Sequence, residues 1–180
     1  MQPSEAAHIL SRSARRNFWM NVGDGATFAF GVSMVSRYTV LPLFVSRLSA
    51  NPLLLGVIPA LFSLGWLLPQ LFTAPLVSSL PRRLPFILKV TIAERLPFLV
   101  FGLVLALLPG LPVWALLATC FGCYLVHTVS AGLAATAWQD MLARVVPAER
   151  WGRLFGMSSA LGGALGVVGA LISGLSLIHI

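Results

Sequence analysis

The chain is short of charge. Only 9% of its 180 residues are charged, 12 basic and 5 acidic. A typical soluble domain carries about 25%. So sparse a set cannot cover the surface of a water-soluble globule this long. It excludes disorder as well, which needs a polar, charge-rich chain. Cysteine is almost missing: Cys120 and Cys123 are the two. They form a lone C-x-x-C inside an apolar run, with no second pair and no ligand cluster nearby. That excludes a disulfide framework and reads as two small hydrophobes, not a redox or metal motif. A phosphate-cradling loop, G-x-S-x-G and H-E-x-x-H are all absent. No nucleophile–base or metal set can be assembled, so the sequence does not read as an enzyme. A secretory signal is missing too. Residues 1–16 are polar and basic, and the first apolar run has no small-residue exit, so that run is expected to stay in the mature protein.

What is present is apolar. Hydrophobic residues make up 58%, and mean hydropathy is +0.91. The pattern predicts an all-α, polytopic membrane helix bundle of about five transmembrane helices. A polar tail over 1–16 ends in Arg12, Arg15 and Arg16. Spans are expected at about 17–45, 53–79, 86–108, 113–137 and 154–174. Asp24 lies near the start of the first, and Pro42 is expected to close or kink it. From Leu48 through Pro81 there is no formal charge, enough to cross about 30 Å of hydrocarbon. Pro59, Pro69 and Pro75 lie inside that run, which a membrane bundle tolerates. Leu80 to Pro85 makes a basic turn, and Pro109-Gly110-Leu111-Pro112 is the clearest turn in the chain. Trp138 to Arg153 reads as a long polar connection.

The basic residues give the orientation. Arg12, Arg15, Arg16, Arg82, Arg83, Lys89, Arg144, Arg150 and Arg153 fall on one side. Arg37 and Arg47 fall on the other, and Arg95 is inside the membrane. The asymmetry predicts a cytoplasmic N-terminus in a cell (inner or plasma) membrane. The net charge of +7 therefore faces anionic headgroups. No basic and aromatic residues alternate as a nucleic-acid track requires.

Ionisable groups inside a membrane are costly, so each is a functional candidate. Asp24, Gln70, Glu94, Arg95 and His127 come from four spans. Each sits roughly 12–16 Å from the nearer cytoplasmic span end, at 1.5 Å per residue. They form one polar layer, the candidate path for substrate or ion. Asp24 and Arg95 are the expected ion pair, and an equally weighted reading gives Asp24 only a packing role. His127 is a candidate proton carrier, although a lone helical histidine is more often a hydrogen-bonded structural residue. Gln70, beside Pro69, is a candidate substrate-facing amide. The glycines of the fifth run include Gly152/Gly156 and Gly162/Gly166, each pair four apart, and are expected to permit close helix contact.

Trp138, Asp140, Pro147, Glu149, Arg150, Gly152, Arg153 and Gly156 follow span four as an acid, a proline and an Arg-x-Gly. Asp24-Gly25, Leu41-Pro42 and Pro69-Gln70 lie earlier. With short loops and the basic turn after span two, the sequence resembles the N-terminal half of a major facilitator superfamily transporter. The family's span 2–3 motif is matched at Pro75, Leu76, Arg82 and Arg83. Its acid and both its glycines are not, and the Gly-Pro of the antiporter motif is absent. The resemblance implies a permease that moves a small-molecule solute by alternating access. A proton or cation would be the coupling species, and there would be no resident cofactor. Arg82, Arg83, Asp140 and Arg150 would form its cytoplasmic latch.

Such transporters have about twelve spans in two halves around a midplane site. The chain is thus expected to be an N-terminal fragment whose partner is the missing C-terminal half. The ending Leu175 to Ile180 (LSLIHI) looks like a sequencing-adaptor remnant. The alternative is a five-span membrane scaffold or assembly subunit without transport activity.

Overall fold

In the computed structural model, residues 3–178 are described, with side chains over 13–172 and at 174. The readings of Arg12 as a headgroup ligand and of 175–180 as a foreign tail lie outside the described side chains, and His179 and Ile180 lie outside the described residues. The described chain is all-α, with no strand. Six α-helices follow in order: α1 Pro3–Met34, α2 Val40–Leu48, α3 Pro52–Ser79, α4 Leu84–Leu107, α5 Val113–Val145 and α6 Trp151–Ile178. A 3-10 turn, Ala148–Arg150, precedes α6.

Among the described residues, four helices are long and apolar enough to cross a membrane: α3, α4, α5 and the stretch Ala148–Ile172. The chain is therefore a multi-pass membrane protein. Its surface agrees, since Leu64, Leu67, Leu68, Leu71 and Phe72 stand exposed along α3, Phe72 at 77%. An apolar face of that extent belongs against lipid. The count by length and apolarity is four, one fewer than the sequence pattern, because Asn17, Asn21 and Asp24 dilute α1.

Two boundaries differ from expectation. The first span is not one helix to 45. It breaks at 35–39 and restarts as α2. Pro42 has no N–H to give Tyr38, which favours a helix start just before it. The first described bond of the new helix is Leu43 N–H to Thr39 C=O, 3.0 Å, and Pro42 sits in the first turn, where a missing N–H costs nothing. The connection after 137 is also largely helical, because Trp138 to Val145 contains no breaker. Pro147 is the first, and it sets the stop at Val145. Trp151 Nε1–H then donates to the Val146 carbonyl at 3.0 Å, closing the corner.

The chain divides into two compact units, 1–36 with 142–180, and 37–141. In the first, α1 packs along α6 through small residues. A Cβ at Gly25 would stand 2.9 Å from Ser158 Oγ, and one at Gly162 would stand 2.7 Å from Ala29 Cβ. One at Gly166 would lie 3.6 Å from Ser33 Cβ, and Gly169 meets Phe30, Ser33 and Met34. Residue numbers rise together on both helices, so the two run parallel. Phe18, Val22, Ala26 and Leu154 are buried in this unit. Gly152, Gly156 and Gly163 face open space.

In the second unit, α3 and α5 interlock. Asn51 caps α3, its Oδ1 accepting from Leu53 N–H at 3.0 Å, with Pro52 in the first turn. Gly65 leaves the space that Thr128 fills. One turn on, a Cβ at Gly132 would come within 2.7 Å of the Gly65 carbonyl oxygen. That carbonyl has no i+4 donor, because Pro69 lacks the N–H. Val77, Ile87 and Ala137 form a small core where α3, α4 and α5 meet, flanked by Phe86 and Met141.

Candidate functional site

Most hydroxyl and amide groups in the spans serve their own helices. Gln70 Nε2–H donates to the Trp66 carbonyl at 2.8 Å. Thr73, fully buried, donates to Pro69 C=O. Thr119 bonds Ala115 C=O at 2.8 Å, and Thr128 bonds Leu125 C=O at 3.0 Å. Such back-bonding makes a polar side chain tolerable in hydrocarbon. Gln70, expected to face a substrate, thus commits an amide proton to its own backbone.

Glu94 is different. It lies about 15 Å into α4, near the middle of a helix about 36 Å long, and is 5% exposed. The buried face of α4 is Ile87, Glu94, Pro97 and Phe101, so the acid lies on the buried face of its helix. His127 of α5 meets it at the backbone: Nδ1 lies 2.9 Å from the Glu94 carbonyl oxygen. A carbonyl only accepts, so His127 carries a proton on Nδ1. Phe98 and Tyr124 flank the imidazole, with ring centroids at 4.7 and 6.3 Å. Two of the five layer residues are thereby brought together, on α4 and α5. Arg95, the next residue, is on the exposed side of α4, and Asp24 is on the exposed side of α1 in the other unit.

At the end of α3 the structure places a second polar group. Arg83 Nε–H donates to Asp140 Oδ2 at 2.7 Å. The same guanidinium donates to the Leu80 carbonyl and, at 3.4 Å, to the Ser78 carbonyl. These belong to the last turn of α3, whose carbonyls have no helical donors. Arg83 therefore ties the α3 terminus to α5, above the Val77–Ile87–Ala137 core. Arg82 is exposed beside it, and Arg150 is exposed on the turn before α6 in the other unit.

No protein-family model matches this chain, and neither does any curated protein or solved structure. The site must therefore be read from its own chemistry.

Two residues outside the expected layer also matter. Arg37, in the α1–α2 break, turns its guanidinium over the Phe62 ring, 3.6 Å from its centroid, and over Tyr38 at 4.6 Å. Tyr124 is 4% exposed, and its hydroxyl has no hydrogen-bond partner. Tyr38 and Tyr124 are the 2 tyrosines of the chain, and no pattern in the sequence joins Tyr124 to Arg37.

Proposed function

We propose that the chain is the N-terminal part of a membrane transporter of the major facilitator type, moving a small solute by alternating access, and that it is not an enzyme. The observation that carries the reading is Glu94: an acid 5% exposed on a helix whose other buried positions are apolar. An ionisable group at that depth is costly and is kept for ion or substrate paths. His127 beside it adds a group that titrates near neutrality in water. In this reading Glu94 and His127 form the proton- or solute-responsive centre of the second unit. Gln70 and Arg95 also line the path, and Arg83 with Asp140, aided by Arg82, latches the cytoplasmic end. The partners are the solute, the lipid bilayer and a second half-bundle, in a cell membrane.

Helix parity supports an α1 that crosses. If α3, α4, α5 and α6 each cross once, α6 runs in the same direction as a crossing α1. The parallel register of Gly25, Ala29 and Ser33 with Ser158, Gly162 and Gly166 fits that count. The scaffold alternative drew support from the Gly-rich fifth run. Gly162, Gly166 and Gly169 are instead taken up by α1.

The test has two steps. Sequencing the source DNA beyond codon 180 should show further apolar spans. The full-length product, reconstituted with a pH dye inside the vesicles, should then move one of four offered classes: sugars, dipeptides, organic acids or organic cations. Glu94→Gln should abolish that movement while insertion stays normal. Movement of no class by a folded, monodisperse protein would return the scaffold reading.

A further inference from the structure

Arg37 carries a full charge into the second unit. Phe62, under its guanidinium, is about 15 Å along α3 from Pro52, and Arg37 is half-exposed there. One guanidinium N–H is taken by Tyr38 Oη, at 2.6 Å. A guanidinium has five such donors. Aromatic faces attract the cation, but they accept no in-plane hydrogen bond. Among the described residues no carboxylate pairs with Arg37. Its edge still lacks the oxyanion that a guanidinium binds best.

Tyr124 supplies an independent observation. Its hydroxyl is buried and unpartnered, which normally costs the full desolvation of the group. It lies within electrostatic range of Arg37 and Tyr38. Phe62 stacks on Trp66, with centroids 5.9 Å apart and planes 15° apart. The place thus holds an uncompensated cation, an orphan donor and flat apolar walls.

We propose that Arg37 and Tyr124 form the oxyanion subsite for a small carboxylate with an aromatic or apolar body. The carboxylate accepts from the guanidinium edge and from Tyr124 O–H, while the body lies on Phe62 and Trp66. Naming this ligand a solute rests on the transport reading; its binding does not.

Benzoate is the probe, benzamide its uncharged isostere. Isothermal titration of the full-length protein in a neutral detergent should give saturable benzoate binding and none with benzamide. Tyr124→Phe removes only the orphan hydroxyl. It should raise the melting temperature of the free protein or leave it unchanged, and weaken benzoate about tenfold. Arg37→Gln should abolish binding. Arg37→Lys, which keeps the charge and loses the planar fork, should give an intermediate loss even if the glutamine variant fails to fold.

Equal binding of benzamide, or unchanged benzoate affinity in Tyr124→Phe, would overturn the assignment. So would displacement of benzoate by phosphatidylglycerol but not by other soluble carboxylates, since the oxyanion would then be a lipid headgroup. Binding without uptake leaves the subsite standing and removes the transport reading. Uptake of neutral solutes with no benzoate binding does the reverse.

Discussion

Gly132→Ala adds one methyl group where α5 lies against the backbone of α3. A Cβ there would stand 2.6 Å from the Trp66 carbonyl oxygen, 2.7 Å from that of Gly65 and 3.1 Å from the Trp66 carbonyl carbon. All three are backbone atoms, so no side chain can swing aside. Ordinary contact begins at 3.4 Å, so α5 must retreat by about 0.8 Å, and a gap of that size forfeits a quarter to a half of each contact's attraction. The loss extends along the seam, through Thr128 against Gly65. Overpacking of this kind costs about 1–3 kcal/mol, and alanine's better helix propensity returns at most about 1 kcal/mol.

Gly122→Ala is the internal control. It lies on the same helix and meets nothing within 4 Å, so only the propensity gain applies. Both gain the same propensity, so the two variants should differ by the overpacking cost of about 1–3 kcal/mol, with Gly132→Ala the less stable. Titrating the folded protein with sodium dodecyl sulfate in mixed micelles, followed by far-ultraviolet circular dichroism, measures that difference. Equal midpoints would refute the close α3–α5 crossing and the account of why Gly132 has no side chain.

Arg83→Gln should lower stability by about 1–3 kcal/mol, because it leaves Asp140 and two α3 carbonyls without their donor; partial exposure of the pair keeps the figure below that of a fully buried bridge. Arg82→Gln, next door and exposed, should change it by less than about 0.5 kcal/mol, and thermal melts in detergent compare the two. Gly162→Val should loosen α1 from α6 and Gly163→Val should not, since only the first meets Ala29; protease accessibility of α1 reads this out. Asp24→Asn in the full-length protein should alter the pH profile of uptake, and unchanged uptake at every pH with normal expression would remove Asp24 from the mechanism. Cysteines placed at Ser13 and Ser49, with Cys120 and Cys123 replaced by alanine, should react with an impermeant maleimide from opposite sides of the membrane. Labelling from one side would mean that α1 does not cross.

The helices themselves were legible because lipid imposes a simple rule: long apolar runs with few charges. The starts of α3 and α4 follow from Asn51-Pro52 and the LPRRLP turn, and the unbroken α3 shows that its three inner prolines act as they do in membranes. The errors came where local chemistry outweighed composition. Pro42 restarts a helix instead of ending one, and Trp138 to Val145 is polar yet free of breakers. Contact information was harder to see. The glycines of α6 drew notice by their number, and Gly162, Gly166 and Gly169 do pack. Gly65 and Gly132 are single glycines on separate helices, and nothing in a one-dimensional pattern joins them. Arg83 and Asp140, 57 residues apart, were linked only through a family resemblance.

The polar residues divide by what they bond. Thr73, Thr119, Thr128 and Gln70 give hydrogens to their own helices, and Arg83 closes a helix end, so the stability of the bundle accounts for each of them. Arg37 and Tyr124 cannot be accounted for that way. A folded bundle gains nothing from a buried hydroxyl without a partner among the described residues, and little from a guanidinium whose faces lie on rings and whose hydrogen bond is to Tyr38; replacing both by apolar groups would cost the free protein little. Groups that weaken the unliganded state are the ones whose remaining bonds must come from something that arrives. In a chain with 5 acidic residues, that something brings its own negative charge.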